Sequence, residues 1–149
     1  MSLGGGVSTL LDAGVTSLIN SGILVAVAAG NDDHEACLNS PAQNPLAVTV
    51  GATDKQDKRY NLSNYGTCLD IYAPGVDITS TWYGGPTATN TISGTSMACP
   101  HVAGAAIIAL GNDNSLAPDA LKQKILNDAT PYVVRDAKLG SPNLLLYIP

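Results

Sequence analysis

The chain has 149 residues, 45% of them hydrophobic and 13% charged, with a formal net charge of −5; that balance belongs to a globular chain and not to a disordered one. Its few basic residues are scattered and could not follow a phosphate backbone, which excludes nucleic acid as an expected partner. No apolar run approaches the roughly 18 residues of a spanning helix, so no membrane partner is expected either.

In chain order, Val7, Leu10, Leu11, Val15, Leu18 and Ile19 recur at intervals of three and four, with Ser8 or Thr9 as a cap and Gly22 as a stop. This predicts an amphipathic helix. Residues 23–30, ILVAVAAG, form a continuous apolar run rich in β-branched side chains and ended by Gly-Asn, as expected of a strand buried on both faces. LAVTVGA (46–52) and LDIYAPG (69–75) predict two more buried strands, the first after a loop with Pro41 and Pro45, the second stopped by Pro74 and Gly75. A hairpin follows, turning at Gly84-Gly85-Pro86. Ser96 to Leu110 reads as a buried helix with Pro100 in its first turn or just past it, and Pro118 to Asn127 as a last helix with Leu121, Ile125 and Leu126 on one face. Helices feeding buried strands point to an α/β fold with a mostly parallel sheet.

Two short motifs raise questions of chemistry. The three cysteines, Cys37, Cys68 and Cys99, show no CxxC spacing and no histidine pair at ligand distance, which argues against zinc. An odd count fits one disulfide and one thiol, and spacing alone leaves the pairing open. The second motif is Ser96, at the start of a buried helix, where free backbone N–H groups and the positive end of the helix dipole suit an oxyanion. The alternative is that Ser96 only caps the helix. A GxSxG elbow is excluded, because Ala98 stands where its second glycine belongs. GGGVS (4–8) lacks a phosphate-loop lysine.

The longer stretch GTSMACPHVAG (94–104) resembles the nucleophile motif of the subtilisin-like serine proteases, most closely the proteinase K-like group. VAVAAGN (25–31) is similar to the strand of that family that ends in its oxyanion-hole asparagine, and SLGGG (2–6) to its peptide-binding segment. SPAQNPLAVTVGA, SNYGTCLDIYAPG and, near the end, GSPNLLLY resemble further blocks. The resemblance implies a subtilisin-like three-layer α/β/α fold, here incomplete at its N-terminal strands and helices, with residues 1–149 as the C-terminal portion of one catalytic domain. It implies Ser96 as nucleophile, Asn31 as oxyanion donor, and Ser2, Leu3, Gly4, Ala28, Ala29, Gly30 and Thr95 as substrate-binding residues. It also implies a structural calcium ion held by the Pro45 and Ala47 carbonyls and Asp70, consistent with hard oxygen ligation, and a Cys37–Cys68 bridge that leaves Cys99 free.

A serine triad needs a base and an orienting carboxylate. The family's chain order is Asp, His, Ser, and neither of the first two blocks is present here. Of the two histidines, His101 follows Ser96 on the same helix and is a structural residue in the family motif, and no role in the pattern falls to His34. Because SLGGG after Met1 has no basic n-region, apolar h-region or cleavage site, the chain is either intracellular or lacks its natural beginning; a bridged pair of cysteines favours a secreted parent. The expected activity is hydrolysis of peptide bonds through an acyl-enzyme on Ser96, without a catalytic cofactor. The substrate is a peptide or protein, and a complementary N-terminal segment brings Asp and His, without which the chain alone is inactive. The alternative is a non-catalytic, peptide-binding subtilase-like module or inactive paralogue.

Overall fold

The computed structural model describes residues 1–149. Two short strands, β1 (Gly5–Gly6) and β3 (Asn39–Ser40), pair antiparallel with Gly5 opposite Ser40. Between them lie helix α1 (Thr9–Asn20) and strand β2 (Ala26–Ala28). Strands β4 (Val48–Thr53) and β5 (Ile71–Pro74) follow, then the hairpin β6 (Ile78–Thr81) and β7 (Thr89–Ile92). Helices α2 (Thr95–Asn112) and α3 (Pro118–Asp128) and two short strands, β8 (Thr130–Pro131) and β9 (Leu144–Leu145), complete the chain.

The central sheet runs β2-β4-β5-β9-β8, with every pair parallel except β8 against β9. The register is Ala26 opposite Val48, Val50 opposite Ile71 and Tyr72 opposite Leu145. Strict alternation distributes the side chains of its long strands to two cores. On one face Ala26, Ala28, Val48, Val50, Ala52, Ile71 and Ala73 meet Ala98, Cys99, Val102, Ala106 and Ala109 of α2 and Leu121 and Ile125 of α3. On the other, Val25 and Val27 meet Val15 and Ile19 of α1, while Tyr72 and Leu69 lie under loops. The helix–sheet–helix order agrees with the expected three-layer α/β architecture. No helix is long and apolar enough to cross a membrane.

The α1 stripe is narrower than its periodicity implies. Val15 and Ile19, one turn apart, are buried, whereas Val7, Leu10 and Leu18 face solvent. The reason is that the helix meets little more than one strand, and such a contact covers only an i, i+4 pair. Its cap is Ser8, whose hydroxyl accepts the Leu11 N–H at 3.3 Å. The strand expected over 23–30 is ordered as a ladder only over Ala26–Ala28, and past its C-terminal end Gly30 (φ +105°) turns the chain away. In α3, Lys122 joins Leu121 and Ile125 on the buried side, a place the apolar pattern reserves for hydrocarbon.

Candidate active site

The end of β2 and the start of α2 converge below the C-terminal edge of the sheet, where α/β folds commonly bind ligands. The bend after β2 is held by Asn64, which is fully buried. Its amide donates to the Ala29 carbonyl at 2.9 Å, and its oxygen accepts from Asp32 N at 2.9 Å and His34 N at 3.3 Å. A Cβ on Gly30 would lie 2.3 Å from the Asn64 nitrogen, so this position requires glycine on both conformational and steric grounds. Asn31 is thereby presented at the mouth of the site.

Helix α2 begins at Thr95, with Gly94 as its N-cap, so Ser96 is the second helical residue and not a cap. Gly94 is docked against Gly75, whose carbonyl accepts the Gly94 N–H at 2.8 Å; a Cβ on Gly75 would come within 2.8 Å of the Gly94 oxygen and 2.6 Å of the Ala52 Cβ. In the first turn, Thr95 N donates to Asn31 Oδ1 at 2.9 Å, and Met97 N and Ala98 N donate to the Gly94 carbonyl at 3.0 and 3.4 Å. The Ser96 N–H is the amide left without a partner. Thr95 Oγ1 also donates to Asn31 Oδ1 at 3.1 Å, and it accepts the Gly30 N–H at 3.2 Å. With its oxygen bonded twice, Asn31 has an NH₂ without a hydrogen-bond partner, and it lines the same cleft as Ser96, whose N–H is likewise unpartnered.

Pro100 lies in the second turn of α2 and has no N–H to give the Ser96 carbonyl. The Ser2 hydroxyl donates to that carbonyl instead, at 2.8 Å, tying the chain before β1 to the first turn of α2. A cleft of about 610 Å³ opens between the two segments, walled by Leu3 and Gly4 to Gly6 on one side and by Ala28 to Asn31 on the other, with Thr95 and Ser96 at its end. Ser2 to Gly4 are exposed and belong to no ladder. Ser96 also borders a second cleft of about 430 Å³, between the β6–β7 hairpin and the Met97, Pro100 and His101 face of α2.

Of the residues the sequence singles out here, Ser2, Leu3, Gly4, Ala28, Ala29, Gly30, Asn31, Thr95 and Ser96 are thus brought together. Thr95 differs in kind: it is fully buried and acts on the cleft through Gly30 and Asn31. Neither histidine ring is bonded to the Ser96 hydroxyl. His101 Nδ1 is 2.8 Å from the Met97 carbonyl, one turn back, and His34 Nδ1 is 3.0 Å from the Glu35 carbonyl, with its Nε2 at 3.7 Å from Asp32.

The subtilase family model matches residues 1–145. The chain belongs to the subtilase family. It is 56% identical over 149 residues to an extracellular serine proteinase of a Thermus species, covering 100% of this chain and 36% of that protein. It is 53% identical over 147 residues to alkaline protease 1 of Aspergillus clavatus, covering 99% of this chain and 36% of that one. A crystal structure of a cold-adapted subtilisin-like serine proteinase superposes with a TM-score of 0.96 at 47% identity, over 100% of this chain and 54% of that one. The subtilase chain therefore spans between a third and just over half of these relatives.

Two other expectations concern the frame of this subtilase. Cys37 and Cys68 are bridged, and Cys99 is a free, buried thiol. The Pro45 carbonyl, the Ala47 carbonyl and Asp70 do converge, but on a cation of the chain itself: Lys122 Nζ is 3.1 Å from Pro45 O, 2.6 Å from Ala47 O and 3.0 Å from both carboxylate oxygens of Asp70. With the ammonium in place, these donors do not fit a calcium ion. Lys122, Asn64 and the clamping role of Thr95 escaped the sequence reading. Only Asn64 had a visible signal, as a polar residue within the family-like block SNYGTC.

Proposed function

We propose that this chain is the nucleophile-bearing and substrate-binding part of a secreted serine endopeptidase. The observation that carries the reading is the pair of unpartnered donors, the Ser96 N–H and the Asn31 amide, on residues that line one cleft at a helix N-terminus. A peptide adds as a strand along Ser2 to Gly4, its scissile carbonyl over Ser96, its leaving side toward the second cleft. Ser96 Oγ attacks that carbonyl and gives its proton to a base, and the oxygen that becomes negative accepts from Ser96 N–H and Asn31 Nδ2. Collapse expels the amine, which takes the proton, and water then releases the acyl group. The base and its orienting carboxylate come from a complementary N-terminal segment, since neither histidine of this chain is bonded to the Ser96 hydroxyl. The chemistry draws on no cofactor. Secretion is supported by the bridged cysteines and by the extracellular name of the Thermus relative.

In the full-length chain, Ser96→Ala should abolish peptide hydrolysis. Asn31→Leu should lower kcat with little change in KM, by about 10²–10³-fold, the loss known for the equivalent donor of subtilisin itself. Undiminished turnover in either variant refutes the assignment. The 149-residue chain by itself should react with a fluorophosphonate slowly or not at all. Rapid labelling that disappears in Ser96→Ala would mean that a base such as His34 is recruited within the chain.

A further inference from the structure

We infer that the ε-ammonium of Lys122 stands where the family resemblance puts a structural calcium ion, so that this joint of the fold is held by the chain's own cation. Three segments meet there: the loop before β4, the start of β5 and helix α3. An ammonium group has three N–H donors, and three acceptor groups surround it, the carbonyls of Pro45 and Ala47 and the carboxylate of Asp70, all at 2.6–3.1 Å. Those are hydrogen-bond distances to nitrogen. Calcium takes six to eight oxygens, waters included, at about 2.3–2.6 Å; this joint offers four protein oxygens, and the ammonium group occupies the point on which they converge.

The surroundings fix both partners. Asp70 Oδ2 also accepts the Thr49 N–H at 2.8 Å, and Asp70 N donates to the Thr49 carbonyl at 2.9 Å, so the carboxylate is registered to the edge of β4. Lys122 is 8% exposed, one residue after the fully packed Leu121, and its side chain is turned inward from α3. A positive charge buried to this degree is retained when it is paired and hydrogen-bonded, and both conditions are met. The exposed Asp119 on the rim of the same hollow is the one further carboxylate that could assist a metal, and it makes no contact with the ammonium. Lysine thus supplies the charge a divalent ion would bring, with one charge fewer and no dependence on metal supply.

The test counts calcium ions bound by the full-length chain, by equilibrium dialysis, in wild type and in Lys122→Ala. Removal of the ammonium should open the donors, so the variant is expected to bind one more ion per chain, and Asp70→Asn in the variant background should abolish the extra ion. Equal numbers in wild type and Lys122→Ala overturn the inference. Melting temperatures in chelator and in calcium keep the test decisive if the variant is poorly folded. Calcium should raise Tm by several degrees more in Lys122→Ala than in wild type, and an equal rise in both overturns it as well.

Discussion

Thr95 is fully buried, yet two groups at the mouth of the cleft depend on it. Its hydroxyl accepts from Gly30 N and donates to Asn31 Oδ1, and its backbone N–H donates to the same oxygen. Thr95→Val keeps the shape of the side chain and removes the hydroxyl. The Gly30 N–H is then left unpaired, at a cost of about 1–3 kcal/mol, and Asn31 loses one of the two bonds that orient its amide. In the full-length chain kcat should fall with KM nearly unchanged, while Thr95→Ser should retain wild-type turnover. An equal loss in the serine and valine variants would mean that Thr95 acts through packing and not through its hydroxyl.

At the scale of elements, the wall of the cleft formed by residues 32–38 is a loop and a 3-10 turn, Ala36–Leu38, with little core of its own. It is fastened to the segment before β5 by backbone bonds, Ala36 N to Tyr65 O at 2.8 Å and Tyr65 N to His34 O at 3.0 Å, and by the Cys37–Cys68 bridge, which closes a sequence separation of 31 residues. Closing a loop of that length restricts the unfolded chain, and loss of the bridge should cost about 2–5 kcal/mol. Cys37→Ser/Cys68→Ser should therefore unfold at a clearly lower urea midpoint than wild type, with the gap closing when wild type is reduced. Equal midpoints under oxidising conditions would show that the backbone pairing alone secures the wall.

Across the whole molecule, two buried polar groups tie the loops on the α1 side of the sheet together. The Arg59 guanidinium is 3% exposed; it pairs with Asp33 at 2.8 Å, donates to the carbonyls of Tyr60, Ser63 and Asp136, and lies 5.6 Å from the centre of the Tyr65 ring. Tyr72, fully buried in β5, donates its hydroxyl to the Ala137 carbonyl at 2.6 Å. Burial pushes the Tyr72 phenol up from its ordinary value. In the unfolded chain it ionises near pH 10, so its contribution is fully present below that pH. The contribution is lost as pH rises toward the higher folded-state value. The full-length chain should lose stability above about pH 10 more steeply in wild type than in Tyr72→Phe. Parallel alkaline limbs in urea titrations would remove Tyr72 from that dependence.

How much of this was legible in the linear chain depends on the range of the forces involved. The three buried strands, the hairpin and the starts of all three helices follow from local patterns of apolar residues, Gly and Pro. That Ser96, Asn31 and the glycine-rich segment would line one cleft is legible because motif residues lie close together in sequence. The tertiary structure alone decided which carbonyl the Ser2 hydroxyl would take, that Thr95 would hold Asn31 from 64 residues away, and that Leu10 and Leu18 would stay in solvent. It also decided that Lys122 would cross 52 residues of sequence to Asp70. The exposure of Leu10 and Leu18 turns on how much of α1 the sheet covers, and the other outcomes on which polar groups are left unpaired once the layers have packed; no local pattern encodes either.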